Sequence, residues 1–186
     1  MAGNTSAIQM ASNALVLLGH PPISSFNEPG AGARASSNLY ESTYRDVLSG
    51  TRWRFATKKA NLSRFASAPL NEYKYQYQLP SDFLYVIRVI DNSDYEIYQD
   101  RLYSDIPALS IDYIYRVDES YLPPYFAVLM EYQLAAKLAI PVTANSTRAA
   151  LYDDMANKQL KKARYLDSSQ RPADEVVGSI YVDARH

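Results

Sequence analysis

The chain has 186 residues, 47% hydrophobic and 21% charged, enough to bury the core of one domain. Net charge is -1 and there is no cysteine. Disulfides, thiolate metal sites and a cysteine nucleophile are therefore excluded, and production in a reducing cytosol fits. With only His20 and His186, a zinc site of three or four ligands is nearly closed.

Residues 5 to 18 predict a helix, with Ile8, Ala11, Leu15 and Leu18 on one face. The segment lacks the basic start and cleavage site of a signal peptide, and no apolar run approaches the length of a membrane span. Gly19, Pro21 and Pro22 end it, and residues 23 to 33 predict a Gly/Pro-rich loop. The glycines of "EPGAGARAS" lack the Lys-Ser/Thr of a phosphate loop. A second helix is predicted from about Ala35 to Leu48, burying Leu39, Tyr40, Thr43, Tyr44, Val47 and Leu48, with Gly50 as its stop.

In "TRWRFATKK" the period changes to two, which predicts a half-buried strand or extended segment. "EYKYQYQL", "FLYVIRVI", "YEIYQDRLY" and "LSIDYIYRV" each read as a strand, so residues 72 to 118 predict one small, mostly antiparallel sheet. Eleven of the 17 tyrosines lie between Tyr73 and Tyr125, in keeping with half-buried pleated surfaces. After Pro123 and Pro124, residues Phe126, Leu129, Met130, Gln133, Leu134, Lys137 and Leu138 trace a third helix that Pro141 is expected to end. A fourth is predicted from Ser146 to Leu166, with an inner stripe of Leu151, Tyr152, Met155, Gln159, Lys162 and Leu166.

The expected fold class is α+β, a four-helix bundle with an inserted small sheet and an extended C-terminal tail. Its segments are residues 1–50 (first bundle half), 51–121 (β-rich insertion), 122–166 (second bundle half) and 167–186 (arm). Charge follows this division unevenly. Residues 1–64 carry seven basic and three acidic residues, residues 65–121 four and ten, and residues 122–186 eight and seven. Without a concentrated basic stripe, tight general DNA binding is disfavoured.

Four segments in this order resemble the tail tubular protein A family of tailed bacteriophages, the head-to-tail adaptors: "ALVLLGHPPISSF", "TRWRFATKKANL", "YQYQLPSDFLYVIRV" and "PPYFAVLMEYQLAAKLAIPVT". The resemblance covers roughly residues 5 to 166. It implies a ring, typically of twelve copies, that joins the portal to the tail tube or nozzle proteins and extends the DNA channel in the virion. It implies no cofactor, no metal and no catalytic set, and genome DNA passing through without specific binding.

Candidate surfaces follow. Tyr73, Tyr75 and Tyr77 alternate with polar residues and either face the domain's own core or meet a neighbouring subunit or the tail. Asp91, Asp94, Glu96, Asp100 and Asp105 are candidates to line the channel, where acidic walls would not grip phosphates, or else decorate the outside. In the arm, Val176, Val177, Ile180, Tyr181 and Val182 are too apolar to be left in water. They are expected to reach a portal subunit or a neighbouring adaptor, with folding back on the arm's own bundle as the alternative. Trp53 with Phe55, supplied with charge by Arg52, Arg54, Lys58 and Lys59, reads either as a base-stacking platform or, favoured, as an anchor between sheet and helices. Asp153 with Asp154, or Asp112 with Asp118, are the carboxylate pairs a glycan hydrolase would need, which is the alternative reading of function.

Overall fold

The computed structural model describes residues 5–90 and 93–170. Among these the chain is mixed α+β, with four α-helices and two small antiparallel sheets. The helices are α1 (Ala7–Leu17) and α2 (Ala31–Ser49) before the strands, and α3 (Pro124–Thr143) and α4 (Ser146–Ser168) after them.

Ser6 starts α1 by accepting the Gln9 N–H at 3.1 Å. Met10, Ala11, Ala14, Leu15 and Leu18 are buried, and Gly19, at φ 74°, turns the chain away. The helix α2 begins at Ala31, earlier than expected, so the last three residues of the predicted glycine loop are helical. Gly32 is buried there, and a Cβ on it would lie 2.7 Å from His20 Cε1, so a larger residue would require the His20 ring to move. Pro124 opens α3, but Pro141 does not close it. The helix runs on to Thr143 and stops at Ala144, which is left-handed at φ 50°. Pro141 and Lys137, the residue whose carbonyl the proline leaves without a helical donor, are both exposed, so water can serve that carbonyl.

Phe126, Leu129, Met130, Leu134 and Leu138 are buried, and α3 touches each of the other helices. It is long and apolar enough to cross a membrane by length and composition, but that apolar surface forms the centre of the core. The predicted stripe of α4 is partly wrong. Leu151 and Lys162 are exposed, whereas Ala156, Ala163 and Asp167 are buried. Close α3–α4 packing selects small side chains there, and alanine contributes little to an apolar pattern. The helix also extends past Leu166, into residues expected to start the arm.

The strands are β1 (Thr57–Asn61), β2 (Ser63–Arg64), β3 (Tyr75–Gln78), β4 (Phe83–Val89), β5 (Tyr95–Tyr98), β6 (Arg101–Ser104) and β7 (Ser110–Tyr115). They form two sheets where one was expected, in the orders β1-β7-β4 and β2-β3-β6-β5. The first is a partition. Leu84, Ile87 and Ile114 face the helical core, while Val86, Val89, Ile111 and Tyr113 face a second, smaller core with Tyr77, Leu79 and Leu102. The Leu-Pro-Ser-Asp step serves this junction. Leu79 fills the small core, and Asp82 accepts hydrogen bonds from Lys58 Nζ at 2.7 Å and the Tyr113 hydroxyl at 3.0 Å.

"TRWRF" is not a strand. Trp53 is fully buried, its Nε1–H donates to the Val47 carbonyl at 3.0 Å, and its ring meets Phe126 edge-on at 5.2 Å. It anchors the entry of β1 to α2 and α3, and a fully buried ring offers no face for base stacking. A second clamp joins α2 to the turn before α3. Arg116 Nη2 pairs with Glu41 at 2.9 Å and Glu119 at 2.7 Å, with the guanidinium 4.0 Å over the Tyr44 ring.

Candidate functional site

Between the helix-facing side of the three-stranded sheet and the C-terminal end of α4 lies an open recess of about 640 Å³. Five cations line it: Arg52 and Arg54 from the α2–β1 connection, Lys59 from β1, Arg88 from β4 and Arg164 from α4. All five are exposed. Register explains the sheet residues. Lys59 and Arg88 lie opposite Asp112 on either side, so β1, β7 and β4 present a Lys-Asp-Arg row.

Asp112 is buried at the floor, with its side chain only 3% exposed. Arg88 Nε donates to its Oδ2 at 2.8 Å. Its Oδ1 has no hydrogen-bond partner among the described residues, because Lys59 Nζ, at 4.0 Å, is close enough for charge attraction and too far to donate. The second floor carboxylate, Asp167, is fully used: Oδ2 accepts the Arg54 N–H at 2.7 Å and Oδ1 the Tyr125 hydroxyl at 2.9 Å. Burial first, and the Asp167 charge and hydrogen bond after it, hold the Tyr125 hydroxyl well above its ordinary pKa, so it remains a donor. Arg164 lays Nε and Nη2 on Thr51 Oγ1 at 3.0 and 2.8 Å. The recess thus presents positive charge at its rim and a buried acceptor oxygen at its floor. It can bind a ligand that is anionic outside and carries a hydrogen-bond donor inside.

The opposite charge collects on the second sheet. Tyr73, just before β3, is half-exposed. Desolvation and then the charges of Glu96, Glu72, Asp94 and Asp105 push its hydroxyl upward. Asp94 and Asp105 flank the open end of the β5–β6 hairpin, with the Lys74 N–H donating to Asp105 at 2.9 Å. Tyr98 donates to Glu96. Asp100 is at the turn of that hairpin, beside Gln78 and Arg101, away from the cluster. Asp91 lies outside the described residues, as do Val176, Val177, Ile180, Tyr181 and Val182 of the arm.

The three alternating tyrosines do not share one surface. Tyr77 is fully buried in the small core and donates to the Ile106 carbonyl, so it has no face to give a neighbour. Tyr75 is half-buried, with the Arg64 guanidinium 4.8 Å from its ring centre. Tyr73 and Tyr75 are both partly exposed, and neither hydroxyl donates a hydrogen bond among the described residues; Tyr73 is the one beside the carboxylates.

The carboxylate pairs are committed elsewhere. Asp118 caps a short turn by accepting the Ser120 N–H at 2.9 Å, Asp153 accepts from Asn157 at 3.1 Å, and Asp154 pairs with Lys158. No group of three or more His, Cys, Asp or Glu is placed to hold a metal among the described residues. Of the basic residues grouped with Trp53, Arg52, Arg54 and Lys59 line the recess. Lys58, on the other face of β1, pairs with Asp82 and sits 3.7 Å over the Tyr115 ring. Sequence reasoning missed Arg88, Arg164, Asp167 and Glu72, which nothing short of the strand register and the α4 docking joins to the rest.

The chain matches no protein-family model and no curated protein sequence.

Proposed function

We propose that the chain is a structural head-to-tail adaptor of a bacteriophage virion, whose copies form a ring between the portal and the tail. The four helices would act as one bundle facing the portal, with the arm reaching a neighbouring protein and the sheets carrying contacts to adjacent copies and the tail. The observation that supports this most is where the four resembling segments fall. "ALVLLGHPPISSF" holds the α1–α2 turn against Gly32, and "TRWRFATKKANL" carries the Trp53 anchor. "YQYQLPSDFLYVIRV" carries Leu79 and Asp82 at the junction of the two cores, and "PPYFAVLMEYQLAAKLAIPVT" is the central helix. All four are joints that set the relative placement of elements, as expected where the shape of a subunit is its function.

Virion imaging tests the reading. Cryo-electron microscopy should place this protein in one ring between portal and tail. A distribution over the capsid shell, or turnover of capsule or cell-wall glycan by purified protein that is lost on replacing one carboxylate, would overturn it.

A further inference from the structure

We infer that the cationic recess of one copy receives the acidic end of the second sheet of another copy, making the lateral, head-to-tail contact between neighbours. The inference rests on the ring reading above and names the two surfaces that would close it. It also gives Asp94, Glu96 and Asp105 a lateral role in place of the channel wall expected from charge alone.

Three observations carry it. First, the two surfaces are opposite in charge. Arg52, Arg54, Lys59, Arg88 and Arg164 line the recess, whereas Asp94 and Asp105 flank the open end of the β5–β6 hairpin with Glu96 in β5 and Glu72 beside Tyr73, on the segment whose Lys74 N–H donates to Asp105. The protein is otherwise nearly neutral, at -1 overall, so these are local, not global, fields. Second, among the described residues the recess has a buried acceptor without a donor, Asp112 Oδ1, and the acidic end has a partly exposed hydroxyl that donates no hydrogen bond, that of Tyr73. An oxyanion alone, such as a phosphodiester, would satisfy the rim and leave the floor unmet. Third, the surfaces cannot meet within one copy. The recess is on the helix side of the β1-β7-β4 sheet, and the acidic end belongs to the other sheet, across the small core. Two recesses repel one another, as do two acidic ends, so neither patch meets its own copy across a two-fold axis; each contact pairs unlike patches, and in a closed ring that pairing is heterologous.

The test uses paired charge exchanges at exposed positions whose side chains make no hydrogen bond or ion pair among the described residues. R52E/R54E exchanges two cations of the recess for anions, and E72K/D94K exchanges two anions of the acidic end for cations. Self-association is followed by sedimentation velocity across a concentration series, with circular dichroism to verify the fold. Wild type should associate, and more weakly as ionic strength rises from about 0.05 to about 0.5 M. Each variant alone should associate at least tenfold more weakly. An equimolar mixture of the two should recover wild-type association, because every contact in an alternating chain again pairs opposite signs. Y73F should weaken association without altering its salt dependence. A mixture no better than its components, or wild-type protein that stays monomeric throughout, would overturn the contact, and neither result touches the virion ring, which is decided by imaging. Association rescued by duplex DNA in place of the complementary variant would assign the recess to nucleic acid and overturn the inference.

Discussion

Replacing Asp167 with alanine removes the buried carboxylate that, beside the Arg164–Thr51 contact, ties the end of α4 to the start of the β region. Asp167 is 4% exposed and accepts from the Arg54 N–H and the Tyr125 hydroxyl. Hydrogen bonds to a charged acceptor contribute about 1.5–3 kcal/mol each when the donor is left stranded by their loss. The Arg54 N–H is partly buried, so losing its acceptor should cost near the upper figure. Tyr125 is half-exposed and its hydroxyl can turn to water, which brings its share to about zero to one. Losing a carboxylate among Arg52, Arg54 and Arg164 adds mutual repulsion that the solvent largely screens. The expected destabilisation is therefore about 3 kcal/mol. For a domain of this size that is a fall in melting temperature of about 6–12 °C. Thermal and urea unfolding followed by circular dichroism measure it, and a cycle with Tyr125→Phe isolates the hydroxyl contact, with an expected coupling of about 1 kcal/mol. A cost for Asp167→Ala under about 1 kcal/mol, or no coupling to Tyr125, would show that α4 is held by its apolar face alone.

Trp53→Ala should destabilise by about 3–5 kcal/mol, from a fully buried indole and the bond to Val47, and urea unfolding will read it. Leu79→Ala should cost about 2–5 kcal/mol, with amide exchange accelerated chiefly in the second sheet; uniform acceleration across the helices would contradict two cores. Stability should fall in acid through Glu41 and Asp82. Burial works to raise both carboxyls, but hydrogen bonds from Arg116 and Arg45 on Glu41, and from Lys58 and Tyr113 on Asp82, outweigh it and hold them below 4.5 and 3.8. Groups depressed in the folded state stabilise it fully above their unfolded values and cease to as pH falls through the folded ones. Melting temperature should hold between pH 7 and about 5 and drop below about 4, less steeply in Glu41→Gln.

The apolar faces of α2 and α3 were legible in sequence because large residues recur there at helical spacing: Tyr40, Tyr44 and Leu48, then Phe126, Leu129, Met130, Leu134 and Leu138 are buried as the pattern predicts. The face of α4 was not, since Ala156 and Ala163 mark it more weakly than exposed Leu151 misleads. Alternation in "TRWRF" suggested a strand because a period of two is equally the mark of an irregular segment that turns one aromatic ring inward. Strand segments were readable singly, but their division into two sheets was not, because pairing joins residues such as Lys59, Asp112 and Arg88 that only the folded register brings together. The recess inherits that difficulty. Three of its five cations, Arg52, Arg54 and Lys59, are visible in one short segment, and the other two, Arg88 and Arg164, arrive from β4 and α4.

The strand order has a topological consequence. The chain passes between the sheets at β1 to β2, β3 to β4, β4 to β5 and β6 to β7, so the two are laced together rather than joined by one neck. A single backbone cut therefore cannot detach the small sheet. Leu70, wholly exposed in the connection from β2 to β3, is where a protease would find the chain most open. Cleaved there, β1 remains bonded to β7 and β2 to β3, each pair now spanning the break. The fragments ending and starting at that point should travel together under native conditions and separate only in denaturant. An assembly subunit woven in this way can be nicked and still hold its place.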